Sequence, residues 1–197
     1  MPRIVLIGPI MTGKSTIARM LSRRIGVRNV PLDLVRWGYY YGIGYDREVE
    51  FDLVKRHGNL ARFEYWKPFE AHAVEGVLAD YPNAIIDFGA GHSVYDDPAL
   101  FARVERALKA ANHVILILPT PDIESSVSIL VERDDPPAEF VDEFKTVVRG
   151  MLENPSNGKL ATSTVYTHGK TPEETCSEIA GIISSLAEMP GQVGRPI

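Results

Sequence analysis

Apolar residues follow two alternating rhythms along this chain. Short continuous runs such as Ile4-Val5-Leu6-Ile7 and Val114-Ile115-Leu116-Ile117 stand between longer stretches in which apolar positions return every three or four residues. Continuous runs read as strands buried on both faces, and the longer period reads as helices packed by one face. The first helix carries Ile17, Ala18, Met20, Leu21 and Ile25, and Gly26 stops it. Arg28 to Asp33 reads as a short strand, with Pro31 restricting it to an edge or an end. Two helices are expected between Asp46 and Asp80, one with Val49, Leu53 and Val54 and one with Phe63, Trp66, Phe69, Ala73, Val74, Val77 and Leu78. His57-Gly58-Asn59 breaks between them, and Pro68 marks a kink or a helix start.

Asn83 to Phe88 reads as a third strand, Pro98 opens a helix, and His113 to Leu118 is a fourth strand. Pro121 to Arg133 is expected to be helical, and Asp134-Asp135-Pro136-Pro137 ends it before an amphipathic helix bearing Phe140, Val141, Phe144, Val147, Val148 and Met151. Glu153 to Gly158 reads as a loop, and Thr162 to Thr167 as a fifth strand. Thr171, Pro172 and Glu174 form the start signature of a last helix, with a capping box. Alternating strands and helices define an α/β class, a parallel sheet with helices on both faces.

The segment between the first strand and the first helix reads Gly8-Pro9-Ile10-Met11-Thr12-Gly13-Lys14-Ser15, with Thr16 following. Gly-x-x-x-x-Gly-Lys-Ser in that setting is a phosphate loop, whose amide groups and helix dipole cradle a nucleotide's phosphates. Residues Gly8 to Thr16 are therefore the expected nucleotide site. Lys14 is the mobile cation for the β- and γ-phosphates, and Ser15 offers a hydroxyl to Mg2+. The third strand closes in Asp87, a Walker B pattern whose acid would order the water shell of magnesium opposite Ser15. Asp33, after the second strand, lies where open parallel sheets bind ligands, and helix capping is its bland alternative. The aromatic stretch from Leu34 to Asp46 either walls a substrate pocket or roofs the core.

Composition narrows the classes. The chain has 197 residues and a net charge of −5, which opposes a general nucleic-acid surface. No apolar run approaches a membrane span, no leader signal precedes the first strand, and a cytoplasmic protein is expected. Cys176 is the single cysteine, at an apolar helix position, so no disulfide or cysteine-based metal site is expected. Residues 1–189 read as one domain with a lid over about 121–158, and residues 190–197 as a flexible tail. No Asn-Lys-x-Asp motif is present, and Ala90 stands where a GTPase switch has Asp-x-x-Gly, so ATP is preferred over GTP.

In the order of these parts the chain resembles the shikimate kinase-like family of small P-loop kinases. The Gly-Lys-Ser-Thr loop end, Asp33 after the second strand, Gly89-Ala90-Gly91, and Tyr166-Thr167 leading to Glu174 carry the resemblance. It implies a three-layer P-loop nucleoside triphosphate hydrolase-type fold with a five-stranded parallel sheet and a helical lid. It also implies MgATP-dependent phosphoryl transfer to a small-molecule hydroxyl. Lys14, Asp33 and Arg133 would be catalytic, with Arg149 the second choice of lid arginine. Asp33, Arg36, Tyr40, Lys67, Gly89, Ala90 and Gly91 would meet the acceptor. The family's paired aspartates are reduced to Asp33, and Glu153-Asn154-Pro155 stands where an acceptor-binding arginine is expected, which points to an acceptor other than shikimate. A nucleoside or nucleotide kinase and a nucleotide-dependent binding or switch protein are the alternatives.

Overall fold

The protein was studied as a computed structural model that describes residues 3–187; the expected tail at 190–197 lies outside them. Its elements run β1 (Ile4–Ile7), α1 (Lys14–Ile25), β2 (Asn29–Pro31), α2 (Leu32–Gly42), α3 (Arg47–His57), α4 (Leu60–Asp80), β3 (Ile85–Asp87) and α5 (Pro98–Leu108). They continue with β4 (His113–Leu118), α6 (Ile123–Asp134), α7 (Val141–Glu153), α8 (Pro155–Leu160), β5 (Ser163–Tyr166) and α9 (Pro172–Ala187). All pairings are parallel, and the strand order is β2-β3-β1-β4-β5.

Each central strand feeds two cores by the twofold alternation of its side chains. Val5, Ile7, Ile86, Val114 and Leu116 face the layer containing α2, α4 and α5, while Ile4, Leu6, Ile85, Ile115 and Ile117 face α1 and α9. Both faces are covered, which is why these strands carry continuous apolar runs. Burying each such isoleucine or leucine stabilises the fold by roughly 2 kcal/mol. Cys176 joins the core under α9, and the capping box of that helix forms as expected, with Thr171 N–H donating to Glu174 Oε2 (2.8 Å) and Glu174 N–H to Thr171 Oγ1 (3.2 Å).

Several elements depart from the sequence expectation. β2 stops at Pro31, on the sheet edge, so Asp33 lies in the first turn of α2 and not at a strand end. The aromatic stretch is largely helical as α2, Pro68 lies inside α4, and part of the expected loop at Glu153–Gly158 is the short helix α8, whose Asn154 cap accepts from Ser156 N–H. Helix α3 forms but buries no residue, so Val49, Leu53 and Val54 are not a core stripe. The apolar face of α7 is shared. Val148 packs with Val127 and Leu130 of α6, with Phe144 and Leu152 against them, whereas Phe144, Val147 and Met151 also line a cleft.

Candidate active site

At the carboxyl edge of the sheet, the order β2-β3-β1 sets three strand ends side by side: Leu6 and Pro31 are both in register with Asp87. The loop after β1, the start of α2 and the turn after β3 therefore converge on one cleft of about 930 Å³.

Gly8 opens the phosphate loop with φ 136°, and a Cβ there would lie 2.3 Å from the Ile117 carbonyl oxygen, so only glycine lets β1 and β4 run so close. Thr12 Oγ1 donates to the Pro9 carbonyl (3.0 Å), and the Lys14 ammonium donates to the carbonyls of Gly8 (2.8 Å) and Pro9 (2.7 Å). Burial lowers the Lys14 pKa to about 8, against the opposing charges of Asp33 and Asp87. Ile10, Met11, Gly13, Lys14, Ser15 and Thr16 line the cleft, while Gly8, Pro9 and Thr12 act behind it as the loop's internal bracing. Met11 adopts φ 61°, a left-handed conformation costly to a side chain with a Cβ, and Arg133 of α6 donates to its carbonyl (3.3 Å).

Asp87 is buried, and its Oδ1 finds no hydrogen-bond partner among the described residues. Burial raises its pKa; the Ser15 hydroxyl, its own backbone amide and Lys14 pull it down, and Asp33 adds to the rise. An unpaired buried carboxylate oxygen beside a hydroxyl is the donor set of a hard, hydrated cation, and Mg2+ fits it. Among the described residues no group of three His, Cys, Asp or Glu side chains is placed to hold a metal by itself. Such an ion would complete its shell with water and phosphate oxygens.

On the other side, Asp33 and Arg36 project from α2 into the cleft, joined by a 3.2 Å ion pair. Pro31, not Asp33, occupies the cap position of α2, and no side-chain cap bond forms there; Asp33 is instead an acid of the helix's first turn, where the helix dipole favours it. The Arg36 guanidinium is stacked between Trp37 (4.6 Å) and Trp66 (4.7 Å). The turn Gly89-Ala90-Gly91 passes so close that a Cβ on Gly89 would stand 2.1 Å from Asp33 Oδ1, and one on Gly91 2.2 Å from Glu70 Oε1.

Tyr40 does not meet the cleft. It is fully buried among Trp37, Tyr45 and Phe69, its hydroxyl 3.3 Å from His92 Nε2, and the Trp37–Tyr45 aromatics thus belong largely to the core. Lys67 faces a neighbouring cavity, bound to Glu70 Oε2 (2.7 Å) and the Gly91 carbonyl (3.1 Å). Gly89 backs Asp33, while Ala90 and Gly91 reach the cleft wall. Arg133 touches the phosphate loop's backbone without lining the cleft, and Arg149 is held by both oxygens of Glu124 and lies 3.6 Å from Glu153. Glu70, which lines the cleft, was not anticipated; an acid on the same face of α4 as Val74 and Val77 was the available signal. Burial raises its pKa, opposed first by Lys67 and then by Arg36.

The parallel sheet with its phosphate loop, the buried Asp87 at the end of β3 and the helical pair α6–α7 together make up the small P-loop kinase fold. No family model matches the chain. It is 26% identical over 186 residues to a curated shikimate kinase of Streptomyces coelicolor, covering 88% of this chain and 90% of that protein. It is 27% identical over 189 residues to one from Salinispora arenicola, covering 93% and 99%. Shikimate kinase from Acinetobacter baumannii in complex with shikimate superposes with a TM-score of 0.66 at 18% identity, covering 96% of each chain. In sequence and in fold the chain is shikimate kinase-like.

Proposed function

We propose that the chain is an ATP-dependent phosphotransferase acting on a hydroxyl of a small molecule other than shikimate. The observation that carries this reading is the convergence, in one cleft, of Lys14 and Ser15 from the phosphate loop and Asp33 from the first turn of α2, with Asp87 buried behind Ser15. The acceptor oxygen attacks the γ-phosphorus as the bond to the ADP oxygen breaks, and the hydroxyl proton passes to the Asp33 carboxylate. Lys14 offsets charge on the transferring group, and Arg133, once it leaves the Met11 carbonyl, would swing in to do the same, so catalysis rests on positioning and electrostatics. Mg2+, held through Ser15 and Asp87, would neutralise charge on the β- and γ-phosphate oxygens when bound.

Glu153, paired with Arg149, stands where a second acceptor arginine would clamp a carboxylate, which supports an acceptor other than shikimate. Tyr40 and Tyr45 are core, but Phe63, Trp66, Phe88, Phe140 and Phe144 line the cleft and could stack on a base, so a nucleoside acceptor remains the second reading.

ATP titration calorimetry with single-turnover transfer to a panel of alcohols tests the reading. Lys14→Ala is expected to abolish transfer. Asp33→Asn is expected to leave ATP affinity unchanged and to slow transfer by roughly a hundredfold, the usual effect of removing a general base. Turnover retained in Lys14→Ala, or unaltered in Asp33→Asn, overturns the corresponding assignment.

A further inference from the structure

Arg36 and Arg62 reach the cleft from α2 and α4, and both carry more hydrogen-bonding capacity than the protein uses. A guanidinium has five N–H donors in a planar fork. Arg36 gives Nη1 to Asp33 (3.2 Å), its Nε is buried without a partner, and no hydrogen bond engages its Nη2 among the described residues. Arg62 meets Glu50 Oε1 through Nε (2.9 Å), and neither of its terminal nitrogens is hydrogen-bonded among the described residues. Both arginines are nevertheless fixed in place. The Trp66 ring centre lies 4.7 Å from the Arg36 guanidinium carbon and 5.9 Å from that of Arg62, while its Nε1 donates to Glu50 Oε2 (2.9 Å). Trp37 covers Arg36 at 4.6 Å, and the Arg36 side chain is left only 17% exposed. Glu50 also accepts from the Tyr45 hydroxyl, so the acid that aims Arg62 is itself held by two further groups.

A cation held this far out of water with donors unmet is unfavourable, and an arriving anion relieves that. The neighbouring acids do not: Asp33 is 56% exposed and takes one nitrogen, and Glu70 is committed to Lys67 (2.7 Å). Asn59 adds a third donor, because it lines the same cleft and, at the cap position of α4, its side chain makes no cap bond. One planar fork already satisfies a carboxylate bidentately. Two forks and an amide ask for more oxygen than that, and a phosphate monoester supplies three oxygens with close to two negative charges at pH 7. Such a group adds to the Arg36–Asp33 and Arg62–Glu50 pairs without breaking either, since each pair occupies one nitrogen of its arginine.

We propose that Arg36, Arg62 and Asn59 form a phosphate subsite, and that the acceptor is a phosphorylated alcohol whose free hydroxyl faces Asp33. This rests on the phosphotransferase reading above and names the class of its substrate.

The test compares alcohols matched except for the phosphate in transfer from MgATP: D-ribose with D-ribose 5-phosphate, D-glucose with D-glucose 6-phosphate, and glycerol with glycerol 3-phosphate, with D-glucitol against D-gluconate as the carboxylate arm. The phosphorylated member of at least one pair is expected to react with a kcat/KM at least roughly tenfold above its parent alcohol, the scale of one hydrogen bond to a charged group. Arg62→Gln, at a side chain 38% exposed, is expected to fold and to lower that ratio by roughly tenfold or more, chiefly through KM of the phosphorylated member. A merely structural residue would change both members of a pair alike. A thermal melt verifies that the variant folds, and the panel with the parent protein decides independently of it. Phosphorylated members favoured no more than their parents, a ratio unmoved in folded Arg62→Gln, or ATP binding with transfer to none of the phosphorylated alcohols overturns the proposal. D-gluconate favoured over D-glucitol while no phosphorylated member gains overturns the choice of phosphate and gives the two arginines to a carboxylate. Failure to bind ATP at all overturns instead the functional reading beneath it.

Discussion

Gly89 has φ −60° and ψ 152°, a conformation open to any residue, so what its missing Cβ protects is space. An alanine there would press on the end of the half-exposed Asp33 side chain and stand 2.8 Å from Nδ1 of the buried His92 ring. Gly89→Ala should therefore melt below the parent, by an amount on the order of 1–3 kcal/mol for overpacking, yet bind ATP as tightly while folded and transfer phosphoryl groups roughly a hundredfold more slowly, the effect of displacing a reacting group by about an ångström. Differential scanning calorimetry, ATP titration and single-turnover rates separate these quantities. An unchanged rate would mean that the placement of Asp33 does not depend on this contact. At this scale Lys14, Ser15 and Asp87 were legible as candidates because each stands at a fixed offset from a strand end, whereas Asp33, expected at a strand end, lies in the first turn of α2. Glu70 and Tyr40 were not: a helix pattern tells which residues share a face, and an acid or a tyrosine on an apolar face can point into a cleft or into a core.

Among the elements, α6 and α7 form a hairpin with its own small core of Val127, Leu130 and Val148, set over the phosphate loop. Its two arginines differ in their commitments. Arg149 is held by Glu124 at the exposed surface, whereas Arg133 reaches the Met11 carbonyl and, more weakly, Thr167 Oγ1 (3.5 Å). Arg133→Ala is accordingly expected to cut transfer by roughly a hundredfold, as loss of one group stabilising transition-state charge does. Arg149→Ala should leave transfer and stability unchanged, because exposed ion pairs contribute little. Steady-state assays of the two variants decide between them, and the reverse pattern would move the catalytic role to Arg149. The existence of these helices followed from periodicity, but the division of the α7 face between hairpin core and cleft did not, since both uses require the same apolar stripe.

For the molecule as a whole, buried ionisable groups set the response to acid. Burial holds the His92 pKa at about 3, far below the 6.5 of an unperturbed histidine, so the folded protein keeps it neutral. Between those values the unfolded chain binds the extra proton; His92's contribution to stability is complete above about pH 6.5 and is lost as pH falls, by at most about 1.4 kcal/mol per pH unit. Glu50 and Glu75, lowered by their partners, act in the same direction below the ordinary glutamate value of 4.5, whereas Glu70 and Asp87, raised by burial, stabilise at low pH and lose that contribution as pH rises. Urea melts of the parent between pH 7 and 5 should show stability falling with pH, and His92→Gln should flatten the slope; an unaltered slope would assign the acid sensitivity to other groups. The sequence by itself determined the alternating α/β plan, the phosphate loop and the capping box of α9, because each is written in contiguous residues by strand alternation, helical period or a fixed spacing. Only the tertiary structure decided which residues meet around Asp33. The pairs Arg36–Asp33 and Lys67–Glu70 are three residues apart on one helix and so are local, but Asp33, Glu70 and Gly91 come from two helices and a turn far apart in the chain, and their meeting depends on strand order and helix packing that no local pattern encodes.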